Sequence, residues 1–194
     1  MIRMNVSRTA VFGAAADLAD REGFDAITVS ALARHFGVQP ASLYSHVRDR
    51  AAVLDGVHEL ALAELAAQVG DAVAGRSGHD ALSGLADAHR AYAAQHPGRW
   101  SALQRPASTE TARSAGAARL VSSIWAVLRA YELPEAELVH ATRYVGATVN
   151  GFLSLERSGG FDHRSPDSDP SWKRAIDALD RSLRSWPRDE GDNR

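Results

Sequence analysis

Apolar residues recur along most of the chain at the three- and four-residue steps that place them on one face of a helix. Between residues 28 and 36 they fall at i, i+3, i+4 and i+7, the pattern of a short amphipathic helix. A longer stripe of the same kind runs between residues 8 and 22. No stretch shows the sustained alternation that predicts a strand. The pattern therefore predicts an all-α protein of about nine helices.

The most informative stretch is TVSALARHFGVQPASLYSHVRDR, which contains two short helical patterns on either side of a turn. Thr28 can cap the first helix with its hydroxyl oxygen, and Gly37 can adopt the left-handed conformation that ends it. Pro40 suits the first turn of the second helix, whose inner side is formed by Leu43 and Val47. A helix, a glycine turn and a small polar second helix are typical of the helix-turn-helix that enters the DNA major groove.

This stretch resembles the recognition element of the TetR-type transcriptional regulators. The preceding sequence, ADLADREGFDAITVSALARHFGV, is similar to the first two helices of the same family. Two departures are chemically mild: Val47 stands where an aromatic residue is frequent, and Arg50 stands where lysine is usual. The residues at family-typical places are Gly37, Val38, Leu43, Tyr44, His46 and Arg50.

The resemblance implies that the second helix reads DNA. A glutamine can bond adenine in two places, serine can donate or accept, and an alanine methyl can meet a thymine methyl, so Gln39, Ala41 and Ser42 are the expected base contacts. Hydroxyl and cationic side chains are better suited to phosphates, although Tyr44 and His46 could instead support the core. The full candidate set is Thr28, Gln39, Pro40, Ala41, Ser42, Tyr44, Ser45, His46, Arg48 and Arg50.

Bulk charge does not carry the DNA interpretation. The formal net charge is −2, and residues 1–60 contain six arginines against seven acids. The chain has a single lysine, Lys173, so phosphate contacts must come from arginine, hydroxyls and backbone N–H groups. An acidic group precedes the recognition stretch, and we expect it to lie away from the phosphates. Its members are Asp17, Asp20, Glu22 and Asp25.

Several other classes of protein lose support from what the sequence lacks. There is no cysteine, which excludes disulfides and suits a cytoplasmic protein, and no apolar run approaches the ~20 residues of a membrane span. His58 and Glu59 begin like a zinc-protease HExxH motif, but position 62 is Leu62. No GxSxG or phosphate-binding loop is present. We therefore expect neither an enzyme nor a bound cofactor.

The patterns divide the chain into a DNA-binding domain, residues 1–60, and a helical domain for effector binding and dimerisation, residues 61–194. Within the second domain we predict that the helix following the turn motif, the fourth in the chain, ends at Gly70 and that one long helix spans 109–131. Residues 80–186 also resemble the TetR-type C-terminal domain, in particular a subgroup marked by spaced Trp, His and Gly. The candidate matches are Trp100, His140 and either Gly146 or Gly151.

The resemblance implies a homodimer, formed through the helices near 135–158 and 171–186, that binds a double-stranded DNA operator with a palindromic sequence. It also implies a small-molecule effector, with release of a repressor by the ligand as the usual outcome. Aromatic residues with one or two arginines favour an apolar or amphipathic ligand, with an anionic group as one option. Aromatic residues at helical spacing are, however, often part of the hydrophobic core and not of a ligand site. The expected lining is Trp100, Leu103, Trp125, Arg129, His140, Arg143, Tyr144 and Phe152.

Three alternatives stay open at this point. A helical protein-interaction module, or a small-molecule-binding protein without specific DNA binding, would explain the apolar seams but not the polar second helix of the turn motif. An architectural DNA-binding protein would lack an effector pocket. An enzyme with an unfamiliar active site is the third. We also expect a short arm over residues 1–7, where Arg3 could touch DNA, and a disordered tail after Pro187.

Overall fold

The structure is a computed structural model that describes residues 6–163, 165 and 167–187. The predictions for Arg3 and for the tail beyond Pro187 lie outside these residues. Within them the chain forms α-helices and short 3-10 turns but no strand, which confirms the all-α prediction. The ten helices are α1 Arg8–Glu22, α2 Val29–Phe36, α3 Pro40–Leu43, α4 Arg50–Val73, α5 Gly78–Gln95, α6 Pro97–Leu103, α7 Thr109–Ala112, α8 Ala115–Leu128, α9 Leu138–Arg157 and α10 Ser168–Arg184.

Side-chain caps begin the first two helices, and the second of these caps, by Thr28, is the one that the sequence predicts. The Ser7 hydroxyl accepts a hydrogen bond from the backbone N–H of Ala10 at 3.2 Å, and the Thr28 hydroxyl accepts one from Ala31 at 3.1 Å. Each cap satisfies one of the donors that a helix start leaves without an internal partner. Gly37 ends α2 in the left-handed region with φ 65°, as predicted.

Two predicted boundaries in the C-terminal part of the chain are wrong. Helix α4 passes through Gly70 and ends at Val73, because a helix tolerates an internal glycine at a cost of about 1 kcal/mol. The predicted helix over 109–131 is interrupted after α7. The Ser114 hydroxyl accepts a hydrogen bond from the backbone N–H of Ala117 at 3.2 Å, which starts α8 as a separate helix.

The chain forms two compact units. The first comprises the described residues of Met1–Ala67 with Ala91–Leu120. Its core takes side chains from α1 to α4 and includes Ala102 of α6. Gly56 of α4 faces the ring of Phe12, and a methyl group at position 56 would overlap that ring.

The second unit comprises Gln68–Arg90 with the described residues of Val121–Arg194. Its buried residues lie mainly on α5, α9 and α10. The Tyr131 hydroxyl donates to Asp180 at 2.8 Å, and the Arg90 guanidinium donates to Glu156 at 3.0 Å. These two units are compact bodies defined by packing. The functional division after residue 60 stays a prediction.

Candidate nucleic-acid interface

The turn between α2 and α3 is fixed by backbone hydrogen bonds. The N–H of Gly37 donates to Arg34 at 3.2 Å, and the N–H of Val38 donates back to Ala33 at 3.0 Å. This pairing satisfies carbonyls that the end of a helix leaves without partners. The chain then re-enters a helix at Pro40, with Gln39 in an extended conformation immediately before it.

Helix α3 is a single turn held by its apolar side. Leu43 is fully buried and Val47, just beyond the helix, is buried as well. An isolated turn of this length has no stability of its own, so its position depends on these anchors. The side chains on its other side reach solvent, including Tyr44, which is 54% exposed. The exposed candidates here are Gln39, Pro40, Ala41, Ser42, Tyr44 and Ser45.

Two polar residues of the helix-turn-helix already have hydrogen-bond partners within it. The Ser45 hydroxyl donates to the carbonyl of Ser42 at 2.7 Å. The hydroxyl oxygen of Thr28 accepts from Ala31, but its own proton can still be donated. Thr28 can therefore cap α2 and contact a phosphate at the same time.

Two arginines, Arg50 at the start of α4 and Arg48 two residues before it, lie in different environments. The Arg48 side chain is 82% exposed, and its hydrogen bond to Asp49 raises its pKa. Asp49 caps α4 by accepting from the N–H of Ala52 at 2.8 Å. That bond, followed by the one from Arg48, lowers the pKa of Asp49. The ionised form of Asp49 therefore has two donors that favour it, one from the helix and one from Arg48.

Arg50 has a structural contact that sequence reasoning missed. Its Nε donates to the carbonyl of Ile27 at 2.6 Å, so the side chain links the start of α4 to the segment before α2. No local signal identifies this contact, because the two residues are 23 positions apart. A phosphate contact by Arg50 would have to come from the rest of the guanidinium.

Residues 39–47, which comprise α3 and its flanking residues, form the recognition element, and a cleft of about 270 Å³ lies beside it in the first unit. His46, which is half-buried, lines it together with Arg8 and Arg48. The opposite charge comes from Asp55, Glu59 and Glu110. Because both signs are present, the cleft itself is not a simple anion site. The two arginines that line it can contact phosphates only where their side chains extend beyond these acids.

The eight predicted effector residues are distributed over both units. Trp100 and Leu103 belong to the first, and Trp100 is only 3% exposed. The other six belong to the second, where Trp125 is 40% exposed. Their role in an effector site stays a prediction. The exposed members of the second group are Trp125, Arg129, His140, Arg143 and Tyr144.

Two aromatic predictions have specific neighbours in the second unit. Phe152 is half-buried, with ring-centroid distances of 4.8 Å to Phe161 and 5.1 Å to Trp172. The Tyr144 hydroxyl donates to Ser182 at 3.3 Å, and its ring lies 5.6 Å from that of Trp186. Phe152 therefore belongs to an aromatic cluster, whereas Tyr144 keeps part of its ring in solvent.

The described residues form neither a metal-binding cluster nor a membrane-spanning helix. No three histidine or acidic side chains there are grouped so as to hold a metal ion. Among the described helices, none combines the length and the apolar character needed to cross a membrane. His58 is buried, and burial lowers its pKa.

Two family descriptions match the chain. Residues 11–57 match "Bacterial regulatory proteins, tetR family", and residues 82–179 match "Tetracyclin repressor-like, C-terminal domain". The chain therefore belongs to the TetR family and is a DNA-binding transcriptional regulator of the helix-turn-helix type. The predicted Trp-His-Gly subgroup is not tested by these matches and stays a prediction.

Individual relatives agree with this assignment. An uncharacterised HTH-type transcriptional regulator of Mycobacterium tuberculosis is 33% identical over 170 residues, which is 84% of this chain and 76% of that protein. The fold is similar to the TetR-type regulator SCO7222 of Streptomyces coelicolor, with a TM-score of 0.72, 20% identity and coverage of 94% and 100% of the two chains. ActR of the same organism, in complex with (S)-DNPA, gives a TM-score of 0.73 at 18% identity, with coverage of 93% and 98%.

Proposed function

We propose that this protein binds a palindromic operator as a homodimer, represses transcription there, and leaves the operator when a small molecule binds. The observation that carries the DNA-reading part is α3: a helical turn anchored by buried Leu43 and Val47, with a polar surface that reaches solvent. Two such elements in a dimer would enter successive major grooves about one helical turn, roughly 34 Å, apart. A cytoplasmic location is part of this proposal.

Within α3 the chemistry favours readout of A·T base pairs. Gln39 has no side-chain capping bond, so its amide is available for the two hydrogen bonds that adenine offers. Ala41 supplies a methyl group and Ser42 a hydroxyl. The described residues from Gln39 to His46 include no arginine or lysine, which are the usual partners of guanine.

The first experiment is selection of duplexes from a random library, followed by fluorescence-anisotropy titration at several salt concentrations. We expect a palindromic sequence that binds two chains far more tightly than a scrambled duplex. Weak, salt-sensitive binding that ignores sequence is typical of phosphate contacts alone and would contradict the specific-regulator proposal. The Gln39→Ala variant should lose about 1–3 kcal/mol on the selected site, whereas the matched exposed variant Gln95→Ala should bind like the wild type.

The dimer proposal is supported by the exposed face of α9. Gly151 lies in the middle of this helix, is exposed, and has nothing within 4 Å of the position of an added Cβ. A glycine there costs about 1 kcal/mol relative to alanine and is useful where another helix approaches closely. Leu155, on the next turn of the helix, is 52% exposed. A second copy of the chain would cover this apolar surface.

Sedimentation equilibrium tests the dimer and its interface. Gly151→Arg should weaken dimerisation strongly, because a long charged side chain would replace an open position at the contact. Gly70→Arg is the matched control, since Gly70 is also helical and also has open space around it. Equal association of the two variants would contradict the α9 interface.

The ligand-responsive part of the proposal draws on two similar structures, one of ActR with (S)-DNPA and one of a TetR variant with minocycline. A ligand can change operator binding only through different affinities for the two states of the protein. Helix α4 contributes residues to both units and is the proposed carrier of the change. Screening apolar, amphipathic and acidic compounds for release of the selected duplex tests this. Tighter DNA binding with ligand would identify co-repression instead.

A further inference from the structure

A cluster of charged side chains in the first unit joins α1 to α6. One carboxylate oxygen of Asp20, on α1, accepts hydrogen bonds from the backbone N–H groups of Gly98 at 2.8 Å and Arg99 at 2.9 Å. These are donors of the first turn of α6. His96, which precedes that helix, makes no side-chain capping bond. The cap of α6 is therefore supplied by another helix.

The side chain of Arg99, on α6, makes the reciprocal contacts to carboxylates of α1 and α4. Its guanidinium donates to Asp17 at 2.7 Å, also donates to Asp20, and lies 3.2 Å from Glu64 of α4. Burial lowers the Arg99 pKa, but the bond to Asp17 and the charges of Glu64 and Asp20 more than offset this, and the net shift is upward. The Arg99 side chain is only 11% exposed, so loss of its partners would leave a largely buried charge.

A glycine of α6 allows close packing where α6 contacts α1. A methyl group at position 98 would overlap the backbone of Ala19, so only glycine allows the two helices to approach this closely. On the next turn of α6, Ala102 is fully buried in the core that also contains Leu32 and Leu43. Helix α6 is therefore part of the body that presents α3.

We propose that Asp20 and Arg99 are positioning residues for DNA recognition. They hold α6 against α1, and α1 provides much of the core on which the single turn of α3 rests. Because α3 has no stability of its own, separation of α6 from α1 releases its support. This inference rests on the DNA-reading function proposed above. It also explains two acidic residues of α1: Asp17 and Asp20 bind α6.

The test uses the full chain in two variants with matched controls. Asp20→Ala removes the cap and the charge, and Glu22→Ala removes an exposed carboxylate from the same helix. This control is needed because loss of any negative charge strengthens binding to DNA phosphates. Gly98→Ala separates the helices without a change of charge, and Gly13→Ala is its control, since Gly13 is helical with open space around it.

Affinity is measured on the selected operator and on a scrambled duplex, and amide hydrogen exchange is measured over residues 98–103 and 40–43. Asp20→Ala and Gly98→Ala should each lose at least about tenfold in operator affinity relative to their controls, with a scrambled-duplex affinity equal to that of the same controls. Exchange should accelerate in both segments. Asp20→Asn keeps an acceptor for the two N–H groups, so it should restore part of the loss. If Asp20→Ala does not fold, the comparison of Asp20→Asn with wild type decides the outcome by the same measurements.

Faster exchange confined to residues 98–103, with operator affinity equal to that of the controls, would overturn the proposal and leave the cluster as local support for α6. Failure of the DNA-reading function is a separate result. If the wild type itself does not distinguish operator from scrambled duplex, the regulator proposal fails. The exchange of residues 40–43 in Asp20→Ala would still show whether the junction orders α3.

Discussion

The recognition element and the predicted effector residues were both predicted from sequence, but the structure matches the predicted burial of side chains only at the recognition element. At the recognition element, Leu43 is buried and Gln39 and Tyr44 are exposed, as the pattern predicts. Among the effector candidates, Trp100 is buried in one unit and Trp125 is exposed in the other. A convex DNA-reading surface consists of the residues that a helix does not bury. A concave pocket is formed by several elements, so the pattern of one helix cannot identify its lining.

The largest expected effect separates the two tryptophans. Trp100→Ala should lower the free energy of unfolding by about 3–5 kcal/mol, because it empties a large buried volume. Trp125→Ala, at a site that is 40% exposed, should cost much less. Urea denaturation at one fixed protein concentration measures both, since association changes apparent stability. Comparable losses would show that exposure does not distinguish the two candidates.

The anchor of the recognition element gives the next effect. Leu43→Ala should cost about 2–5 kcal/mol and abolish operator binding, since the single turn of α3 depends on this side chain. The control is Val121→Ala, because Val121 is 40% exposed and lies outside the helices of the proposed dimer interface. Denaturation and anisotropy titration are the measurements. Retention of operator affinity in Leu43→Ala would mean that α3 is held in some other way.

A pH effect tests the core of the second unit. Burial lowers the pKa of His89 from its ordinary value of 6.5, so the folded state resists a proton that the unfolded state accepts. Stability should therefore fall as pH drops below about 6.5, with a slope of at most about 1.4 kcal/mol per pH unit from this residue. Denaturation midpoints measured between about pH 5 and 8, the range in which histidine changes its charge, give the slope.

The variant His89→Gln should reduce this slope, and His163→Gln, at an exposed position, should leave it unchanged. Some dependence should persist in His89→Gln, because burial also lowers the pKa of His58. An unchanged slope in His89→Gln would show that this histidine does not contribute.

The smallest effect belongs to the helix cap before the recognition turn. Thr28→Ala should cost about 1 kcal/mol, the usual value for a lost N-cap, because the N–H of Ala31 loses its acceptor. Thr28→Ser keeps the hydroxyl and should restore stability. Thermal unfolding of the three proteins measures the difference. If Thr28→Ser is as unstable as Thr28→Ala, the methyl group of threonine and not its hydroxyl is responsible.

Local sequence determined the parts of this protein that depend on neighbouring residues. The cap by Thr28, the left-handed stop at Gly37 and the burial of Leu43 follow from backbone hydrogen bonding and helical periodicity, which act within a few residues. The family motif also lies in this region, so the regulator class could be predicted from it, whereas the all-α fold followed from helical periodicity along most of the chain.

Only the tertiary structure decided the contacts between distant segments. Asp20 and Arg99 are 79 positions apart, and Arg50 and Ile27 are 23 apart, so no local pattern distinguishes these charged residues from solvated ones. The same reason explains why Trp100 and Trp125 could not be told apart. Periodicity reports which face of a helix is apolar, whereas the packing of other helices decides what that face and its polar neighbours contact.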